Sequence, residues 1–100
     1  MEKDLRISEF LKIYGEFLTP RQKEVTESYY DYDLSLKEIS ENIGISRQAV
    51  LDAVHISVKE LQRMEEVIGL CAVLQKLKRI DDKMDKQEIL DIVSSVLSQY

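Results

Sequence analysis

Cysteine and histidine each occur only once in the sequence, as Cys71 and His55. A single cysteine rules out a disulfide within the chain, and this pair alone cannot form an ordinary zinc cluster. No apolar run approaches the roughly 18 residues that a membrane span needs. The first ten residues are charged and amphipathic, without the apolar core of a signal peptide. These absences predict no cofactor, no membrane span and a cytoplasmic location.

Signatures of catalysis are also missing. The sequence has no glycine-rich loop, no set of metal ligands and no nucleophile beside a base. Paired carboxylates such as Asp81 and Asp82 indicate acid catalysis only inside a pocket, which a small helical domain gives little reason to expect. We therefore expect a protein that is not an enzyme.

Residues that break helices are scarce, because glycine occurs three times and proline once. Apolar residues instead recur three and four positions apart, which is typical of amphipathic helices. The pattern predicts an all-α fold, with a helix-turn-helix head of about four helices in residues 1–68 and a helical C-terminal extension in residues 69–100. The long fourth helix either continues to about Arg79 or breaks near Gly69.

Polar residues mark where the first helices begin and end. Thr19 with Gln22, and Ser35 with Glu38, form the pattern of a capping box, so helices are predicted to start directly after Thr19 and Ser35. Before Thr19, one apolar stripe predicts a first helix of about three turns. Its members are Ile7, Phe10, Leu11, Tyr14, Phe17 and Leu18.

The segment LKEISENIGISRQAV, residues 36–50, has the spacing of a helix-turn-helix. Gly44 suits the sharp turn, because glycine enters the left-handed backbone region without a Cβ penalty. Ser40, four residues earlier, supplies the small side chain required where the two helices approach, and Ser46 can cap the second helix. The inward apolar positions of the motif are also filled, by Ile39, Ile43, Ile45 and Val50.

The second helix of such a motif reads base edges with its N-terminal residues. The side chains predicted to bind nucleic acid are therefore those at its cap, in its first turn and along its outward side: Ser46, Arg47, Gln48, Leu51, Asp52 and His55. Arg can pair with guanine and Gln with adenine, whereas Asp52 repels phosphates. The alternative is that Arg47 and Gln48 form an ordinary solvated helical turn.

Charge argues against a simple DNA-binding protein. The formal net charge is -5 and the isoelectric point is about 4.9. Of the three windows 1–43, 44–63 and 64–100, only residues 44–63 are net positive, with an excess of one charge. The sequence thus leaves two classes of function open, a nucleic-acid-binding protein and a protein-interaction module that has lost nucleic-acid reading.

Four segments together resemble the YlxM-type helix-turn-helix proteins of bacteria: LTPRQ (18–22), the pair Tyr29-Tyr30, DLSLKEI (33–39) and SRQAV (46–50). Genes of that family commonly lie beside those of the signal recognition particle protein Ffh and its receptor FtsY. The resemblance implies an accessory or regulatory protein of that pathway, with the particle's small RNA, DNA or Ffh as partner, and no catalytic residues. A more distant resemblance, to the promoter-reading C-terminal domain of sigma factors, implies a sequence-specific transcriptional regulator instead.

A long apolar stripe on the fourth helix also indicates self-association. The stripe exceeds what we expect the three preceding helices of the head to cover, so it needs a partner surface. Either the final helix folds back on it or two chains pair their long helices, and we expect the second, a homodimer. The stripe comprises Val54, Val58, Leu61, Met64 or Glu65, Ile68, Cys71 and Leu74.

Overall fold

A computed structural model describes residues 3–100 of the chain. In that range it contains six α-helices, one short 3₁₀ helix and no strand, which confirms the predicted all-α fold. The helices are α1 (Arg6–Tyr14), α2 (Pro20–Tyr30), α3 (Leu36–Ile43), α4 (Arg47–Ile68), α5 (Leu70–Leu77) and α6 (Lys86–Leu97), and the 3₁₀ helix is Gly15–Phe17.

The chain divides into two compact units between Ile68 and Gly69. The N-terminal unit holds α1 to α4, and the C-terminal unit, Gly69–Tyr100, holds α5 and α6. Gly69 separates α4 from α5 with a positive φ of 70°, which glycine adopts without a Cβ penalty. Of the two predicted alternatives for the fourth helix, the break near Gly69 is therefore the observed one.

Helix α4 is the centre of the N-terminal unit, since α1, α2 and α3 all pack against it. Its buried side chains fall at helical spacing, so one face of the helix is covered along the unit. Beside α2 and α3, the core cluster consists of Val25, Tyr29, Ile39, Val50 and Val54. Beside α1, Tyr14 is buried and its hydroxyl donates a 2.7 Å hydrogen bond to the carboxylate of Glu65.

The first helix is shorter than predicted. Helix α1 ends at Tyr14, the 3₁₀ helix follows, and Leu18 is extended. Leu18 is buried, but the Phe17 side chain is 74% exposed, so Phe17 does not belong to the inward stripe. The two capping boxes of α2 and α3 are present as predicted. Sequence spacing identified the stripe, but it could not show that the backbone tightens at Gly15 and turns Phe17 outward.

The predicted dimerisation stripe on α4 is covered within the chain only in part. Val54 and Leu61 are fully buried in the N-terminal unit, where α1 and α2 pack on α4. Ile68, at the end of the same helix, is 42% exposed, so the head leaves part of the stripe uncovered and the dimer stays a prediction. A dimer through Val54 and Leu61 would require the core of the unit to open.

Candidate nucleic-acid interface

Helix α3, the first helix of the motif, begins with a reciprocal pair of hydrogen bonds. The Glu38 N–H donates to the Ser35 hydroxyl oxygen at 3.1 Å, and the Ser35 N–H donates to the Glu38 carboxylate at 3.1 Å. The backbone bond from Ser35, followed by its side-chain bond, holds the pKa of Glu38 below its ordinary value. The start of α3 is thus fixed by local bonds that the sequence predicted.

Gly44 makes the turn between the two helices. It has φ 80° and ψ 33°, and its N–H donates to the carbonyl oxygen of Ser40 at 2.9 Å. A Cβ added at Gly44 would meet no described atom within 4 Å. Glycine is therefore favoured here by the backbone conformation and not by lack of space.

A side-chain hydrogen bond fastens the two sides of the turn together. The Ser40 hydroxyl on α3 donates to the carbonyl oxygen of Ile45 at 2.6 Å. Ile45 directly precedes Ser46, and it packs against the core cluster. The sequence predicted a small residue at position 40 only for close approach. Because that small residue is a serine, its hydroxyl could have indicated the additional hydrogen bond to Ile45.

Helix α4, the second helix of the motif, is capped as predicted. The Ser46 hydroxyl oxygen accepts a 3.0 Å hydrogen bond from the Ala49 N–H, and the Ser46 carbonyl accepts one from the Val50 N–H. Ser46 is thus occupied by the cap. Arg47 and Gln48 follow directly and are both exposed on the first turn of α4.

The outward face of α4 brings together three of the predicted residues. Gln48, Asp52 and His55 are exposed and lie at i, i+4 and i+7, which places them on one face. The Gln48 amide donates a 2.9 Å hydrogen bond to the Asp52 carboxylate. Leu51 differs from them, because it is half-buried.

One further basic residue on this face was missing from the sequence prediction. Lys59 is exposed and lies four residues after His55, so it continues the same outward row. The spacing of 48, 52, 55 and 59 was the signal that could have identified it. An ammonium group there suits contact with a phosphate and does not read a base.

The described part of the chain contains neither a cluster of metal ligands nor a helix that could span a membrane. Within residues 3–100, no three His, Cys, Asp or Glu side chains are grouped so that they could hold a metal ion. None of the helices in the same range is both long enough and apolar enough to cross a membrane.

Comparison with known proteins identifies the family. The family model described as "Putative helix-turn-helix protein, YlxM / p13 like", UPF0122, matches residues 1–97. The chain belongs to the UPF0122 family. The resemblance seen in the four sequence segments is thereby confirmed, and the family description names a helix-turn-helix protein and no enzymatic activity.

Curated members of the UPF0122 family match most of the chain. A UPF0122 protein of Clostridium kluyveri is 39% identical over 98 residues, covering 98% of this chain and 84% of the relative. One from Mycoplasma capricolum is 38% identical over 89 residues, covering 89% and 79%. One from Pediococcus pentosaceus is 44% identical over 70 residues, covering 70% and 62%.

Proposed function

We propose that this UPF0122 protein binds nucleic acid through the start of α4 and serves as a non-enzymatic accessory protein of the signal recognition particle pathway. The observation that carries the proposal is the exposed first turn of a capped second helix, where Arg47 and Gln48 stand beside a turn closed by Ser40 and Ile45. The pathway is supported by the gene neighbourhood of YlxM-type proteins alone.

The chemistry of the first turn fits base recognition. An Arg guanidinium can donate two hydrogen bonds to one guanine, and a Gln amide can pair with adenine. Gln48 already uses one amide hydrogen on Asp52, which fixes the direction of its side chain. Asp52 in turn can accept from the amino group of cytosine. This row therefore offers both donors and an acceptor to base edges.

Groove dimensions favour duplex DNA over duplex RNA. The major groove of B-DNA admits an α-helix, whereas the deep, narrow major groove of A-form RNA does not admit side chains. A particle RNA would then have to be bound at a loop or bulge, where bases are accessible. The same α4 residues would contact either nucleic acid.

Charge favours a second candidate, a protein-interaction module that binds Ffh. All of the net charge of -5 lies in residues 1–68, because residues 69–100 carry five basic and five acidic groups. An open groove of about 560 Å³ in the N-terminal unit is lined by Glu16, Glu24 and Glu27 around Lys23. Such a surface repels phosphates and suits a basic protein segment.

One experiment separates the candidates. The full chain is titrated into labelled duplex DNA of random sequence, the particle's small RNA and purified Ffh, each between about 50 and about 200 mM salt. The nucleic-acid proposal expects binding to DNA or RNA that weakens with salt, with a shallow slope because few cations face the ligand. Binding to Ffh alone, with no nucleic acid bound at the lowest salt, would establish the interaction module instead.

A further inference from the structure

Helix α6 presents an apolar face that its own unit does not cover. The side chains of Leu90, Val93 and Leu97 are 45%, 37% and 70% exposed. They lie at i, i+3 and i+7, so they share one face of the helix. Ile92 is buried, and α6 packs on α5. One side of α6 is therefore covered by its own unit, and the exposed row of Leu90, Val93 and Leu97 forms a second apolar side.

The C-terminal unit is too small to bury its apolar residues by itself. It has 32 residues, and its buried hydrophobic side chains are Cys71, Val73 and Ile92. Units below about 40 residues usually need a disulfide, a metal or a partner to be stable. Cys71 is the only cysteine of the chain, and residues 3–100 contain no group of side chains that could hold a metal ion, so a partner remains the available source of further burial.

The charge of the C-terminal unit favours a second copy of the chain as that partner. The C-terminal unit is electrically neutral, with five basic and five acidic residues, while the N-terminal unit carries the whole net charge. Two copies can therefore meet through their C-terminal units without net repulsion, which a contact between N-terminal units would incur. The residues beside the apolar row, Ser94 and Ser98, are also uncharged.

The charges along α6 also set the direction of pairing. Lys86, Glu88 and Asp91 all lie in its first half, and residues 92–100 contain no charged side chain. Helical spacing places only Lys86 of these three on the face of the apolar row, and a parallel pair would set it opposite Lys86 of the second copy, which is unfavourable. An antiparallel pair places the charged half of one helix against the uncharged half of the other, and Leu90 then faces Leu97 of the second copy.

We propose that the protein self-associates through α6, as an antiparallel, two-fold pair of helices centred near Val93. The same patch then contacts itself, as a two-fold interface requires. Three exposed aliphatic side chains supply less than the roughly 800 Å² per partner of a standard interface, so we expect weak association, with a dissociation constant on the order of micromolar. This interface contains none of the stripe residues that the sequence indicated, and neither Arg47 nor Gln48.

The first test measures the mass of the full chain by sedimentation equilibrium, from about 1 to about 100 µM. The parent is expected to pass from one chain to two. Leu90→Lys combined with Leu97→Lys should weaken the dimer more than about tenfold, because it buries unpaired like charges. Val67→Lys is the matched control, since Val67 is 74% exposed on α4 and should leave the mass unchanged. A parent that stays monomeric, or a dimer that survives the double change, overturns the proposal.

The second test probes direction and holds even where the lysine variants fold poorly. Leu90→Glu with Leu97→Lys brings opposite charges together only in the antiparallel pair, so it should dimerise more strongly than the double lysine variant. Val93→Cys lies near the two-fold axis and should form an intermolecular disulfide on oxidation. Leu90→Cys should not, because seven residues of helix separate the two thiols by about 10 Å. Equal cross-linking at both positions overturns the antiparallel pair.

Discussion

The hydroxyl of Ser40 donates a 2.6 Å hydrogen bond to the carbonyl oxygen of Ile45, so the two helices of the motif are joined across their turn by a side chain as well as by the backbone. We expect Ser40→Ala to lower the free energy of unfolding by about 0.5–1.5 kcal/mol, since alanine keeps the space but removes the donor. Chemical denaturation measures the change.

Ser28→Ala is the matched control for that loss. The Ser28 hydroxyl donates to the carbonyl of Glu24 on its own helix, and alanine is the better helix former, so the change should stay within about 0.5 kcal/mol. Equal losses for the two serines would mean that the bond across the turn adds nothing specific.

The backbone conformation of Gly44 predicts a cost for any side chain there. Because no described atom lies within 4 Å of an added Cβ, the cost comes from the φ of 80° alone. Gly44→Val and Gly44→Ala should each destabilise the fold by about 1–3 kcal/mol. Gly44→Asn should cost less than Gly44→Ala, because asparagine tolerates the left-handed region better. An alanine variant with unchanged thermal stability would contradict the observed turn.

Thr26 is a place where removing a polar group should stabilise the protein. Its side chain is fully buried, and its hydroxyl oxygen has no hydrogen-bond partner among residues 3–100. Thr26→Val keeps the shape and should raise the free energy of unfolding by about 1 kcal/mol. Ser57, equally buried, donates to the carbonyl of Ala53, so Ser57→Ala should lose stability. Denaturant midpoints that move in the same direction for both variants would refute this contrast.

Acid should weaken the fold through exposed carboxylates whose pKa is lowered. Hydrogen bonds from Ser35 lower the pKa of Glu38, and the side-chain hydrogen bond from Lys3 lowers that of Asp33. A carboxylate whose pKa is lower in the folded protein than in the unfolded chain stabilises the fold at any pH above its unfolded pKa, which is 4.5 for Glu38. That stability is lost as the pH falls through the pKa of the folded protein.

Glu38→Gln tests this pH dependence, because glutamine can still complete the capping box but does not titrate. Melting temperatures between pH 6 and pH 3 should fall less for this variant than for the parent. Asp33→Asn should act in the same direction, since asparagine tolerates the φ of 54° but no longer pairs with Lys3 as a charge. A variant with the same acid sensitivity as the parent would exclude its carboxylate as a cause.

Capping signals and apolar spacing were sufficient to predict the fold of the N-terminal unit, because caps at Thr19, Ser35 and Ser46 are local. They were insufficient where several elements compete for one surface. The pattern on α4 showed that Leu61 must be buried but not which helices pack on α4. The sequence likewise could not predict the hydrogen bond between Gln48 and Asp52, because an i, i+4 spacing permits a side-chain pair without requiring it.

Substitutions at the residues proposed to read nucleic acid should alter binding without changing the stability of the fold. Arg47 is exposed at the start of α4, so Arg47→Ala should change the free energy of unfolding by less than about 0.5 kcal/mol. The same variant should weaken binding to the preferred nucleic acid by about 1–3 kcal/mol per lost base contact. Lys78→Ala removes the same charge from the C-terminal unit and should leave base preference unchanged.

Asp52→Asn should raise the affinity for nucleic acid, whereas Arg47→Ala should lower it. It removes one negative charge from the face proposed to contact nucleic acid, yet an asparagine amide oxygen can still accept the hydrogen bond from Gln48. Binding measured by fluorescence anisotropy should therefore tighten for all sequences, and preference for a cytosine at the contacted position should weaken. If Arg47→Ala and Asp52→Asn both bind every tested nucleic acid as the parent does, then the outward face of α4 is solvated surface and the interaction module is the function to pursue.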